Sequence, residues 1–209
     1  MSSSIIFKNR AEAGKKLAEV LGEFKNSDAI VLALPRGGVV VAKEVAQKLR
    51  LPLDIIVTRK IGAPGNDEYA IGAIDINGNG VWNEVERAYV DPKWLKNKIE
   101  LEKKEAVRRF ETYRKGMGQL NLKGKKIIIV DDGIATGLTM QSAVAYAKSE
   151  GAEKVVVAVP VASSESVRAI KKDTDVRVLE TPVFFSAVGE WYEDFPQVSD
   201  REVTEVLGG

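Results

Sequence analysis

The sequence predicts a doubly wound α/β fold: a mainly parallel five-stranded sheet flanked by helices, with a hairpin-plus-helix insertion and a small C-terminal hood. Three observations lead there. The uninterrupted apolar runs Ala29–Leu34, Ile127–Val130 and Val155–Val159 are each followed by a loop and a stretch of helical period. Strands without polar alternation need both faces covered, the condition of a parallel sheet between two helix layers. A long interval between the second and third strands breaks this rhythm and marks the insertion.

The elements follow in order. Ala11, Leu17, Ala18, Leu21 and Phe24 recur at helical spacing over 10–25, so a helix precedes the first strand. Pro35-Arg36-Gly37-Gly38 then leads into a helix from Val39 to Leu49, and Asp54–Thr58, rich in β-branched residues, is the second strand. Ala70–Ile76 and Val81–Glu84 flank Asn77-Gly78-Asn79-Gly80, a hairpin signature. Asp91 is placed to cap a helix with Pro92 in its first position, and this highly charged helix runs to about Lys115 before Gly116. The strand at 127–130 feeds a helix at about 137–150, the strand at 155–159 a helix at about 163–172, and a last strand spans about 176–180. The chain, 1–209, reads as one domain in which 62–118 is the insertion and about 181–209 form the hood or C-terminal flap.

Lys and Arg number 31 against 30 Asp and Glu, a net charge of +1, so bulk electrostatics does not suit a nucleic-acid partner and anion binding must be local. There is no cysteine and no histidine, which removes disulfides, thiolate sites, imidazole ligands and the usual neutral-pH base. Any metal would sit on oxygen. Met1–Lys8 lacks the apolar centre of a leader, and no apolar run approaches the roughly 18 residues of a membrane span, so a soluble, cytoplasmic protein without a membrane partner is expected.

The segment Asp131-Asp132-Gly133-Ile134-Ala135-Thr136-Gly137-Leu138-Thr139 follows an apolar strand, where α/β sheets bind ligands. Two adjacent carboxylates there need hydroxyl donors, a cation or solvent, and ribose diols supply such donors. Gly133 and Gly137 allow close approach to an anion, while Thr136 and Thr139 add hydroxyls beside the free N–H groups of a new helix. A phosphate monoester suits this arrangement, and an anion is expected against Gly133–Thr139. The segment lacks the Lys of a Walker A loop, and the chain has no G-x-G-x-x-G fingerprint. An acidic turn that merely caps a helix is the plainer reading of the same residues.

The pattern of apolar strand, two acids and Gly-Ile-Ala-Thr-Gly-x-Thr resembles the signature with which type I phosphoribosyltransferases bind phosphoribosyl diphosphate (PRPP). The resemblance covers roughly residues 28–160 and implies a magnesium-dependent transfer of the phosphoribosyl group, a pentosyl transfer of nucleotide metabolism, to a small nitrogenous acceptor. By it, Asp131 and Asp132 would bind the ribose hydroxyls, with magnesium held near them mainly through PRPP and water and not by a protein cage. Gly133, Ile134, Ala135, Thr136, Gly137 and Thr139 would hold the 5-phosphate. Leu34-Pro35-Arg36-Gly37-Gly38 stands where the family has its pyrophosphate loop, and the resemblance implies a cis peptide between Pro35 and Arg36. Thr58-Arg59-Lys60, at the end of the second strand, is similar to an Arg-Lys pair in orotate and adenine phosphoribosyltransferases; Arg59 and Lys60 would stabilise the leaving pyrophosphate, as would Arg36.

The insertion 62–118 matches the position of the family's flexible loop, and its Arg108, Arg109, Tyr113 and Arg114 could reach a pyrophosphate, although such a helix also reads as a solvated face. The aromatic stretch with Phe184, Phe185, Trp191 and Tyr192 is the candidate for stacking on the acceptor base, core packing being the alternative. Two other functions stay open: a PRPP-binding regulator without turnover, and a phosphohydrolase acting through Asp131 or Asp132. A homodimer is left open as well.

Overall fold

The structure, a computed structural model, describes residues 6–208; Met1–Ile5, the start of the segment read above for a leader, lie outside them. The chain begins with α1 (Arg10–Val20), β1 (Ile30–Ala33), α2 (Gly38–Leu49) and β2 (Leu53–Ile55). It continues through β3 (Thr58–Ala63), β4 (Asn66–Asp75), β5 (Gly80–Trp82), α3 (Glu84–Arg87) and α4 (Pro92–Tyr113). Then come β6 (Lys126–Val130), α5 (Leu138–Ser149), β7 (Lys154–Val161), α6 (Ser164–Ile170), β8 (Asp175–Glu180) and α7 (Asp200–Leu207).

Five strands form a parallel sheet in the order β2-β1-β6-β7-β8. Side chains alternate between its two faces, and both are covered. Val31, Ala33, Ile128, Val130, Val156 and Ala158 join Leu17, Val41 and Val45 of α1 and α2. Leu32, Ile127, Ile129, Val155, Val157 and Val159 join Met140, Ala143 and Ala147 of α5 and Ile170 of α6. This double burial is why the strands carry no polar alternation.

The second strand is shorter than expected. β2 ends at Ile55, the N–H of Ile56 makes one more bond to the Ala33 carbonyl, and Thr58 already belongs to β3. Arg59 and Lys60 therefore lie not at the end of a parallel strand but at the start of a separate antiparallel sheet, β3-β4-β5. Register shifts around Gly62 break the alternation that would have marked β3 as a strand. The Asn-Gly turn between β4 and β5 is held by the buried Asp75 carboxylate, which accepts the N–H groups of Asn77 and Asn79, and Gly78 takes φ +88°.

Asp91 caps α4 as its position predicts, its carboxylate accepting the Trp94 N–H at 2.7 Å with Pro92 opening the helix. Leu95, Glu102, Ala106 and Tyr113 are its buried face. Asp54, a charge inside β2, is satisfied by Arg114 through bonds of 2.7 and 2.9 Å, which fastens the end of α4 to the parallel sheet.

Candidate active site

The winding of the chain through the sheet reverses between β1 and β6. From β1 the chain winds outward to β2, then returns on the other side of β1, and the loops leaving such a pair of strands diverge into a ligand crevice. Ala33 pairs with Val130, so the two loops start at one level. They also touch. A Cβ on Gly38 would lie 2.8 Å from the Asp131 Cα, and one on Gly37 only 1.9 Å from Asp132 Oδ2, so both glycines are required by loop packing, beside anything they offer a diphosphate. The Pro35–Arg36 peptide is cis.

In the second loop, Gly137 at φ +82° turns the chain into α5. Among the described residues the N–H groups of Ala135, Thr136 and Gly137 have no acceptor within the protein, while those of the first turn of α5 are free by helix geometry. These groups border a 180 Å³ cavity lined by Lys60, Ala70, Asp131, Gly133–Thr139 and Val188. The loop is braced from behind: Ile134 donates to the Val161 carbonyl at 3.0 Å, and the hydroxyls of Ser163 and Ser166 converge on the Ala135 carbonyl.

The acid pair is asymmetric. Asp131 lines the cavity, whereas Asp132 is held by Arg10, whose Nε lies 2.7 Å from Asp132 Oδ2. Burial, reinforced by the charge of Asp132, holds the Asp131 carboxyl above the usual range; burial also raises Asp132, against the pull of Arg10. The Tyr192 hydroxyl donates to the Asp132 carbonyl, and burial pushes that phenol far up.

The basic candidates are all engaged with carboxylates. Arg36 reaches Asp200 of α7 at 3.3 Å, where the Tyr113 hydroxyl also donates at 2.6 Å and Arg108 approaches to 3.8 Å. Arg59 pairs with the buried Glu102 of α4, and Lys60 with Glu68. Both line a 220 Å³ charged cavity with Lys98 and Asp67, and Lys60 also lines the first cavity. Arg109 is tied to Glu105, and Arg114 is committed to Asp54.

The aromatic candidates separate. Tyr192 is buried between Phe7 and Phe195. Trp191 packs in the same cluster and stacks on Phe185 at 6.3 Å, while Phe184 is 85% exposed. Phe185 alone of the four lines a 550 Å³ cavity with Tyr69, Glu165 and Ser186, which shares Ala135, Thr136 and Leu138 with the 180 Å³ one.

Sequence reasoning missed Arg10, Lys98, Glu102, Ser163, Ser166 and Asp200. The one local sign was an arginine in the first turn of a helix, where the macrodipole disfavours a cation.

The chain matches the phosphoribosyl transferase domain family over residues 2–193. A Mycobacterium tuberculosis protein whose name assigns it provisionally to the phosphoribosyl transferases, found in strains H37Rv and CDC 1551, is 42% identical over 97% of this chain. The chain spans about half the length of these relatives, 46%. The crystal structure of TT1426 from Thermus thermophilus superposes with a TM-score of 0.83 at 42% identity over 97% of both chains. A hypothetical protein from Neisseria gonorrhoeae, solved with bound ppGpp, covers 98% of this chain and 96% of its own at a TM-score of 0.54 and 16% identity, a likeness of fold. With its crevice at the switch between β1 and β6, this chain belongs to the phosphoribosyl transferase domain family.

Proposed function

We propose that the protein transfers the 5-phosphoribosyl group of PRPP to a nitrogenous acceptor with release of pyrophosphate. One observation carries the reading: a loop of unpaired N–H groups beside an acid that lines the same cavity, in a chain of this family. The 5-phosphate would rest on Gly133–Thr139, with Thr136 and Thr139 adding hydroxyls, and a ribose hydroxyl would donate to Asp131. Lys60 borders both this cavity and the charged one, so the diphosphate would extend toward Arg59, with Arg36 on the other loop. The oxygen donors present suit a hard ion arriving on the oxygens of PRPP beside Asp131, and magnesium would there offset charge on the departing diphosphate. The C1–O bond of PRPP breaks as C1–N forms, and the acceptor's proton passes to a carboxylate or to the substrate itself.

The acceptor is assigned to the 550 Å³ cavity, with the face of Phe185 as its stacking surface. Its lining carries Glu68 and Glu165 but neither Lys nor Arg, which favours a neutral or amine-bearing acceptor over a carboxylate-bearing one. The segment 62–118 is read as the cover of the site, and 1–209 as one catalytic unit. The engagement of Arg36 and Arg59 by Asp200 and Glu102 favours one alternative, a PRPP-binding regulator.

The deciding assay incubates the protein with magnesium, PRPP and a panel of purines, pyrimidines and amines while following pyrophosphate. Acceptor-dependent pyrophosphate is expected, and Arg59→Ala with Lys60→Ala should lower kcat by roughly tenfold or more beyond any change in affinity. PRPP binding with no pyrophosphate would leave the regulator, and release of inorganic phosphate would indicate the phosphohydrolase.

A further inference from the structure

The adjacent acids are built into different surroundings. Asp131 borders the 180 Å³ cavity, whereas Asp132 does not. Asp132 Oδ2 lies against Gly37, where a Cβ would stand 1.9 Å away, and receives Arg10 Nε at 2.7 Å, with side-chain exposures of 9% for Arg10 and 14% for Asp132. The same guanidinium donates to the Pro196 carbonyl at 2.7 Å and lies 3.6 Å over the Phe195 ring. Tyr192 closes the arrangement by donating to the Asp132 carbonyl. A single cation thus joins the start of α1, the aromatic C-terminal segment and the acid pair, elements separated by up to 186 positions.

We propose that the two acids divide the work: Asp131 takes the ribose hydroxyl, and Asp132 serves as the counterion of Arg10, a positioning residue that cancels one charge beside the PRPP site. This rests on the PRPP reading above. PRPP is a polyanion, so an uncompensated second carboxylate at this place would repel it. Arg10 removes that repulsion from within the protein and fixes the loop at the same time.

The test compares magnesium-PRPP affinity by calorimetry, and melting, for the unmutated protein, Asp131→Asn, Asp132→Asn, Arg10→Gln and the double variant Arg10→Gln with Asp132→Asn. Asp131→Asn should weaken PRPP binding by about tenfold or more, the loss of a charge-assisted bond. Asp132→Asn should weaken it much less. Arg10→Gln should weaken it several-fold, and adding Asp132→Asn to Arg10→Gln should restore it, because the charge left without a partner is removed. A purely structural Arg10 would leave the double variant as weak as Arg10→Gln, and an Asp132 that binds ribose would make the double variant the weakest; either result overturns the proposal. If the unmutated protein does not bind PRPP, the substrate reading fails separately. Melting then still decides the pairing: Arg10→Gln and Asp132→Asn should each lower the midpoint by roughly 5–15 °C and together by no more than the larger one. Additive losses would refute it.

Discussion

Asp200 gathers a phenol and two arginines around one carboxylate, and the effect on the phenol is measurable. Burial, then the bond to Asp200, pushes the Tyr113 hydroxyl up to about 12 from its ordinary value of 10, while the same bond holds Asp200 below the usual carboxylate range. A folded-state value raised above the unfolded one gives stability that is complete below pH 10 and lost as pH climbs to about 12. Tyr113→Phe should therefore show a shallower loss of melting temperature across that window than the unmutated protein. Identical slopes would mean that the phenol is not protected by folding.

At the scale of elements, α4 is held by two ion pairs, Arg59 with Glu102 near its middle and Arg114 with Asp54 just beyond its end. The second is enclosed, with side-chain exposures of 9% and 11%. Asp54→Ala would leave the guanidinium without its counterion in a buried place, at a cost of about 3–5 kcal/mol, read as a lower urea midpoint at constant slope. Replacing both, with Asp54→Leu and Arg114→Met, should return much of the loss. An unchanged midpoint for Asp54→Ala would show that the end of α4 does not depend on β2.

The molecule as a whole closes by bringing the segment after β8 back onto the loop after β6. The contact is tight: a Cβ on Gly133 would lie 2.5 Å from Val188 Cγ1. Gly133→Ala should cost roughly 1–3 kcal/mol through overpacking, and Val188→Ala in the same chain should relieve most of that. Without relief, the strain would lie in the loop's own backbone and not in its contact with the C-terminal segment.

The parallel sheet, its helices, the Asn-Gly hairpin and the Asp91 cap were legible in the sequence, because each follows from local periodicity or from a bond between near neighbours in the chain. The candidate loop was legible as a chemically distinct segment for the same reason, its glycines, hydroxyls and acids standing within nine consecutive residues, 131–139. β3 was not, since its register shifts around Gly62 hide the alternation, and Arg59 and Lys60 were consequently placed on the wrong strand. Nor could any pattern foretell that Asp132 meets Arg10 across 122 positions, that Arg36 meets Asp200 across 164, or that Phe185 lines the larger cavity while Tyr192 is buried in the core. Only the tertiary structure decided the partners of the charges, because a charge taken out of water requires a counterion close in space, and the chain brings one there by folding and not by spacing.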